Sequence, residues 1–450
     1  MAIPSKQIGW GTESNLLWQI AKQIQYLTQV TASSASAPSP FKYNANATGI
    51  QPILGTNNAS GIYATIGGGY QNTASCYYST IGGGRNNTAS NYYSTIGGGK
   101  SNTASFNYST VGGGVFNTAS SGSGSTVGGG VCNTASNGSS TVGGGFFNIA
   151  SGYQSIISGG ETNIASGYHS TVGGGKNNIA CGQLSTIGGG GGSYSLVANK
   201  AYGIGSTVSG GMSNTSLAYY TTISGGKNNQ ACGQSSSIGG GNSNTTCYNY
   251  STIGGGLSNT ASGTASTIGG GQQNTASTYF STIGGGRSNT ASGGCSTIGG
   301  GYSNTASNPS STVGGGYNNI AYGYRSTIAG GYSNSASGDY SFIGGGYNNT
   351  ASGNCSIVGG GKYNTASGYY SVIGGGCTNT ASGNDSAILG GRYNNTNNCN
   401  SAMIIGGYIT ADRVNATFVN NLSIKNIPTA SAGLPSGAVW SSAGTLCIVP

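Results

Sequence analysis

Charge is nearly absent from this chain. Asp, Glu, Lys and Arg together make up 4% of its 450 residues, against roughly 25% in ordinary soluble domains. For acid–base chemistry it has five acids (Glu13, Glu161, Asp339, Asp385 and Asp412) and one histidine, His169. A paired-carboxylate or triad mechanism needs converging groups, and these residues are too scattered to supply them. No enzyme, metal or cofactor is expected. Long apolar runs are missing too: none approaches the ~20 residues of a membrane-spanning helix. Met1–Gln7 is not followed by an apolar core and cleavage site, so no secretory leader and no membrane insertion are expected.

What the chain has in excess is glycine, 90 residues of it, in a strict rhythm. A fifteen-residue unit, seen at 281–295 as STIGGGRSNTASGGC, recurs 23 times from Ala64 to the copy beginning at Ala402. Numbering its positions 1 to 15, position 3 is Ile or Val in every copy and positions 5 and 6 are Gly in every copy. Position 9 is Asn in 21 of 23. Nineteen of the 22 spacings are 15, two are 16, and one is 21 because of an insert near Gly191–Lys200. So short a period makes each copy one rung of a stack. Disorder does not hold an apolar residue in register, and collagen needs Gly at every third position. The ten cysteines fall at six different unit positions, plus Cys447 outside the array. A disulfide or metal ladder would keep one phase. Cys181, Cys232 and Cys247 share position 12 and read as packed thiols, as suits a reducing cytoplasm.

The pattern predicts an all-β, parallel β-solenoid of about 23 rungs, or roughly 110 Å at ~4.8 Å per rung. In the copy at 281, Ser281-Thr282-Ile283 is β-prone with Ile283 inward. Gly284-Gly285-Gly286 turns the chain. Asn289-Thr290-Ala291 forms a second short strand with Asn289 and Ala291 inside, where stacked Asn side chains can bond to backbone and along the axis. One Ile and one Ala per rung make a thin interior, which argues that several chains pack together along their length.

Four segments follow. Residues 1–30 form a helical attachment segment, with a helix expected from Ser14 to Val30. Leu17, Ile20, Ile24 and Leu27 step by 3, 4 and 3 along it, the spacing of an a/d seam. That stripe serves either docking and trimerisation or simple amphipathic packing on a neighbour. Residues 31–60 read as a linker, 61–408 as the solenoid shaft, and 409–450 as a small β cap pairing Ala438–Trp440 with Thr445–Val449.

Position 7 follows the glycine turn and should be exposed. It is basic at Arg85, Lys100, Lys176, Lys227, Arg287, Lys362 and Arg392, half of the chain's 14 basic residues. It is aromatic at Tyr70, Phe146, Tyr302, Tyr317, Tyr332, Tyr347 and Tyr408. One reading is solubility and edge protection. The other is a stripe that meets anionic surface glycans by charge and ring stacking. Nucleic acid is not expected, since one line of positions makes no groove. Tyrosine pairs at positions 14 and 15, such as Tyr77-Tyr78, Tyr92-Tyr93 and Tyr369-Tyr370, should point one in each pair outward and suit packing between chains. Thr at position 2 in 16 copies and at position 10 in 14 raises ice binding, but the flat double Thr-x-Thr row is missing. Gly99-Lys100-Ser101 matches only the end of a phosphate loop.

The string NTASGYYSVIGGG at Asn364–Gly376 resembles the head repeat of the YadA-like trimeric autotransporter adhesins. That resemblance covers about residues 61–408 and implies a left-handed parallel β-roll with three chains side by side, a homotrimer. IGWGTESNLLWQIAKQIQYLTQV at Ile8–Val30 and NIPTASAGLPSGAVWSSAGTLCIVP at the C-terminus resemble end segments of structural proteins of tailed bacteriophages. Together they imply a virion fibre, assembled in the host cytoplasm and exposed on the particle. It would be attached to other virion proteins through its N-terminus and would reach host surface glycans. A secreted or surface-anchored bacterial adhesin is the alternative.

Overall fold

Strands of only two residues build this protein, one side chain in and one out. The computed structural model describes residues 19–25, 39–44, 48–53, 56–192, 197–421, 427–429, 432–442 and 445–449. The chain divides into two compact units, Met1–Gly175 and Lys176–Pro450. Each is a parallel β-solenoid, with about 24 turns in all. In the turn at 281–295, Thr282–Ile283 pairs in parallel with Thr297–Ile298 in sheet A, and Thr290–Ala291 pairs with Thr305–Ala306 in sheet B. A third ladder of single parallel bridges runs through position 7.

The interior is closed within one chain. Ser281, Ile283, Asn289 and Ala291 are all fully buried, and the same four positions are buried in nearly every turn. The thinness of the core therefore does not by itself call for neighbouring chains. Ile and Ala fill it by dispersion and burial, and Asn fills the rest by hydrogen bonding. Asn289 Nδ2 donates to Gly285 O and to Gly301 O of the next turn, both at 3.0 Å. Its Oδ1 accepts the backbone N–H of Asn304 at 2.9 Å. Burying so polar a side chain is tolerable because its donors and its acceptor are all used.

Glycine at position 6 answers two constraints. Gly286 has φ +87°, and a Cβ there would run into Gly301 O and lie 2.7 Å from Asn289 Nδ2. Positions 8 and 15 are also left-handed but hold ordinary residues, as at Ser288 (φ 57°) and Cys295 (φ 57°). That conformation costs roughly 1–2 kcal/mol per residue. It reverses the direction of the N–H, so Ser288 donates back to Gln272 O at 2.9 Å and Cys295 back to Tyr279 O at 3.0 Å. Most other N–H groups outside the strands, including those of Thr282, Gly284, Arg287 and Thr290, donate forward to the next turn.

Position 1 closes the turn in two ways. Where position 13 carries a side chain, the serine hydroxyl donates to its carbonyl: Ser281 to Thr278 O and Ser311 to Asn308 O, both at 2.7 Å. Where position 13 is Gly, its N–H instead donates to the next turn's alanine, as from Gly293 to Ala306 O at 3.2 Å. The following hydroxyls, Ser296, Ser326 and Ser341, are then buried without a hydrogen-bond partner.

The ends are dressed by other means. The span read as a linker holds an antiparallel hairpin, β1 (Phe41–Tyr43) with β2 (Ile50–Pro52), and the first sheet B strand, β3 (Asn58–Ala59). Ile50 continues sheet A onto Thr65 of β4 (Thr65–Ile66). Gln51 Oε1 stands in for a missing turn by accepting the Ala59 N–H at 2.7 Å. In the second unit, the insert lies between Gly191 and Asn199 without disturbing either ladder: Ile179 still pairs with Lys200, and Thr186 with Thr207. Thr396 Oγ1 ends sheet B by accepting the N–H groups of Ser382 and Gly383 at 2.8 and 3.0 Å. Sheet A runs on past 408 to Thr417–Val419. Val439–Ser442 pairs antiparallel with Thr445–Ile448.

The two polar interior positions should differ sharply on mutation. Asn289→Ala strips the Asn304 N–H of its acceptor and should cost about 2–4 kcal/mol, whereas Thr267→Ser on the outer face should stay within about 0.5 kcal/mol. Ser281→Ala, which loses a hydrogen bond, should cost about 1 kcal/mol. Ser296→Ala, which removes an unpartnered hydroxyl, should cost nothing or stabilise. Denaturant midpoints of the four variants check this, and equal losses at Ser281 and Ser296 would contradict the two closures.

Candidate functional site

With inward positions occupied, any site lies on outward ones. At position 7 the backbone bridges on both sides hold successive side chains in one row. Arg85, Lys100, Lys227, Arg287, Lys362 and Arg392 are exposed, and Lys176 is half-buried. Arg85 and Lys100 bridge directly in the first unit, with Arg85 Cζ 5.8 Å from the Tyr70 ring centroid. The second unit holds the fullest arrangement. Tyr302, Tyr317, Tyr332 and Tyr347 stack on one another, with centroids 5.1, 4.6 and 5.0 Å apart and planes within 13°. Arg287 Cζ sits 5.6 Å from the Tyr302 ring, and Lys362 Nζ sits 5.2 Å from the Tyr347 ring and 5.0 Å from Tyr363. The row is thus four rings with a cation at each end. Lys227 and Arg392 stand apart from it in the same unit.

Each ring contact is worth about 0.5–1.5 kcal/mol, and each exposed cation–π contact about 0.5–1 kcal/mol. They fix the row without any core behind it. They also change what the row offers. The ring faces are taken by neighbouring rings, so stacking of a sugar on a ring face, as expected from the sequence, has no free face along the row. What points out are ring edges, hydroxyls and the end cations. The Tyr363 hydroxyl is raised above the ordinary tyrosine range, chiefly by its hydrogen bond with Tyr347.

The tyrosines at positions 14 and 15 depart from expectation. Tyr77, Tyr78, Tyr92, Tyr93, Tyr369 and Tyr370 are all exposed. Strand alternation fails there because the pair lies in a turn, with position 15 at positive φ. Position 15 instead carries a second stack, Tyr63–Tyr78–Tyr93–Tyr108, with centroids 4.9, 4.8 and 5.1 Å apart. Tyr370 is pushed up to about 12, first by its hydrogen bond with Tyr369. Position 14 also holds a short acceptor ladder that sequence reasoning missed: Asp339 Oδ1 accepts the Tyr324 N–H at 2.9 Å, and Asn354 Oδ1 accepts the Asp339 N–H at 3.1 Å.

The position-12 cysteines are not packed inside. Cys181 and Cys247 are exposed and Cys232 is half-buried, because the residue after an inward alanine turns outward. Burial, then the neighbouring Cys247, raises the Cys232 thiol. His169 lies edge-on to Tyr168, centroids 4.2 Å apart. Asp412 pairs with Arg413 at 2.9 Å on the surface. Among the described residues no group of three His, Cys, Asp or Glu is placed to hold a metal, and no helix is long and apolar enough to cross a membrane.

Of the proposed docking stripe, Ile20 and Ile24 lie on a helix over 19–25 and are 44% and 58% exposed. Leu17 and Leu27 lie outside the described residues. A further apolar row went unnoticed in the sequence. On the outer face of sheet A, where Thr is the rule, Phe342, Ile357, Val372, Ala387 and Met403 follow one another across five turns.

Comparison with known proteins bears on the shaft. The family model described as the ubiquitous surface protein adhesin repeat matches residues 326–338, a stretch that begins at a position-1 serine and crosses both sheets of one turn. No curated protein matches the chain. The shaft is adhesin-like in its repeat.

Proposed function

We propose that this chain is a non-enzymatic fibre that contacts a cell surface through its position-7 ladder. The observation that carries the reading is the row Arg287–Tyr302–Tyr317–Tyr332–Tyr347–Lys362, in which exposed cations and phenols are held in register on a chain of net charge +9. Anionic glycans fit it: the cations supply attraction, and the hydroxyls supply hydrogen bonds to sugar hydroxyls. The adhesin repeat at 326–338 supports the same role, since it falls within this row.

The finer reading places the fibre on a tailed-phage virion. Its support is the likeness of Ile8–Val30 and of the C-terminal segment to phage structural proteins. The N-terminus then faces other virion proteins, and Ile20 and Ile24 on the helix offer the apolar surface for it. A bacterial surface adhesin uses the same ladder and is favoured by the family match alone. In either case we propose a homotrimer. Since the interior is closed within each chain, the chains must meet through outward residues, and the row from Phe342 to Met403 is the apolar surface suited to that.

Changing Arg85, Lys100, Lys176, Lys227, Arg287, Lys362 and Arg392 to Gln should leave the circular dichroism spectrum and unfolding midpoint nearly unaltered. Binding of the purified chain to bacterial cells should fall by roughly tenfold and lose its dependence on salt, because the Debye length shrinks from ~10 Å at 0.1 M to ~3 Å at 1 M. Unchanged binding at low salt would reduce the ladder to solubility chemistry.

A further inference from the structure

We propose that the two tyrosine stacks are sites of oxidative cross-linking, where phenols one turn apart couple to dityrosine and staple successive turns. The stacks lie on different ladders, position 15 in the first unit and position 7 in the second. Their geometry is nonetheless the same. Neighbouring rings are 4.8–5.1 Å apart in Tyr63–Tyr78–Tyr93–Tyr108 and 4.6–5.1 Å apart in Tyr302–Tyr317–Tyr332–Tyr347. The planes are tilted by 2° at both Tyr78–Tyr93 and Tyr93–Tyr108, and by 5° at Tyr317–Tyr332.

Parallel register matters here. Residues one turn apart leave the backbone in the same direction, so their hydroxyls, and the Cε carbons beside them, lie at the same end of each ring. The backbone keeps that register, with Tyr93 N–H on Tyr77 O at 3.0 Å and Tyr302 N–H on Gly316 O at 2.9 Å. The rings of the second stack are between 37% and 43% exposed, which gives an oxidant access and the rings room to swing out of the stack.

The chemistry balances as follows. Each of two neighbouring phenols loses one electron and its hydroxyl proton, giving a phenoxyl radical with spin on Cε. The two radicals join in a Cε–Cε bond, and the hydrogen on each bonded Cε moves to its own oxygen, restoring both aromatic phenols. Two electrons and two protons leave the pair. One hydrogen peroxide, acting through a haem peroxidase, accepts them and becomes two waters. Holding the partners in place favours this coupling over encounters between molecules, as in any reaction made intramolecular. Tyr219, Tyr248 and Tyr322 are comparably or more exposed, with no ring stacked on them among the described residues, and form a built-in control.

The test treats the purified full chain, dilute, with a haem peroxidase and hydrogen peroxide, then maps cross-linked peptides by mass spectrometry. Links that join tyrosines fifteen residues apart within the two stacks, with the loss of two hydrogens, should exceed links at Tyr219, Tyr248 and Tyr322 by roughly tenfold. Tyr317→Phe with Tyr332→Phe keeps the rings stacked but removes every adjacent phenol pair of the second stack. Its cross-links should vanish while those among Tyr63, Tyr78, Tyr93 and Tyr108 persist. Mixing isotope-labelled with unlabelled chain separates links within a chain from links between chains. Links spread evenly over exposed tyrosines, links only between chains, or none in the stacks would overturn the proposal. Cell binding plays no part in any of these readouts.

Discussion

The buried asparagine at position 9 is the interaction on which the rest of the structure depends. A two-residue strand makes too few backbone bonds to define a turn by itself, and Ile with Ala fills little space. Asn supplies what is missing at a single point. Asn289 ties its own glycine turn, the next glycine turn and the next asparagine together through three short hydrogen bonds. Because the next copy does the same, the amides form a continuous file through each unit. Aspartate would lose the two donors, and glutamine would place its amide a methylene too far along.

That file explains why glycine cannot be varied beside it. The amide reaches the carbonyl of Gly285 only because the chain folds back tightly there, and the space a Cβ would need at Gly286 is filled by Asn289 itself and by the next turn. The left-handed residues at positions 8 and 15 belong to the same economy of donors. They point N–H groups backward where a right-handed residue would point them elsewhere, leaving few backbone groups unused. Their conformational cost is spread over turns that bury four side chains each and share every ladder with two neighbours.

How much of this was legible in the sequence follows from what each position tolerates. Ile283, Gly285, Gly286 and Asn289 each stand for a position admitting one or two residue types, and they disclosed the solenoid, the inward face and the axial asparagine bonds. Ser281 was missed because serine ordinarily signals solvent, and here it is buried against a carbonyl or against nothing. The left-handed positions were silent because Tyr, Asn, Ser, Phe, Gln and Cys all occur there, and none of them announces positive φ. Alternation misplaced Tyr77-Tyr78 because that rule belongs to strands. It would have placed Cys247 correctly, one residue past the inward position. The apolar row Phe342–Met403 appears in sequence only as five separate exceptions to threonine, and it becomes one surface when the turns are stacked.

The candidate site was half legible for the same reason. Position 7 could be seen to vary between cation and aromatic, and its exposure followed from the glycine turn. The consequence of placing aromatics at a spacing of about 5 Å could not be read one copy at a time. At that spacing rings satisfy one another, so a row of tyrosines becomes a fixed ridge of hydroxyls and loses its sticky faces. Such a ridge contributes little at any one turn. Its strength comes from repetition: each turn offers the same weak contact in the same orientation, already ordered before a ligand arrives. A long polymer of repeating sugars meets several of them for one loss of translational freedom. A solenoid with an invariant interior and a permissive exterior is suited to that kind of binding. The interior sets the repeat distance, and the outward residues decide only what is repeated.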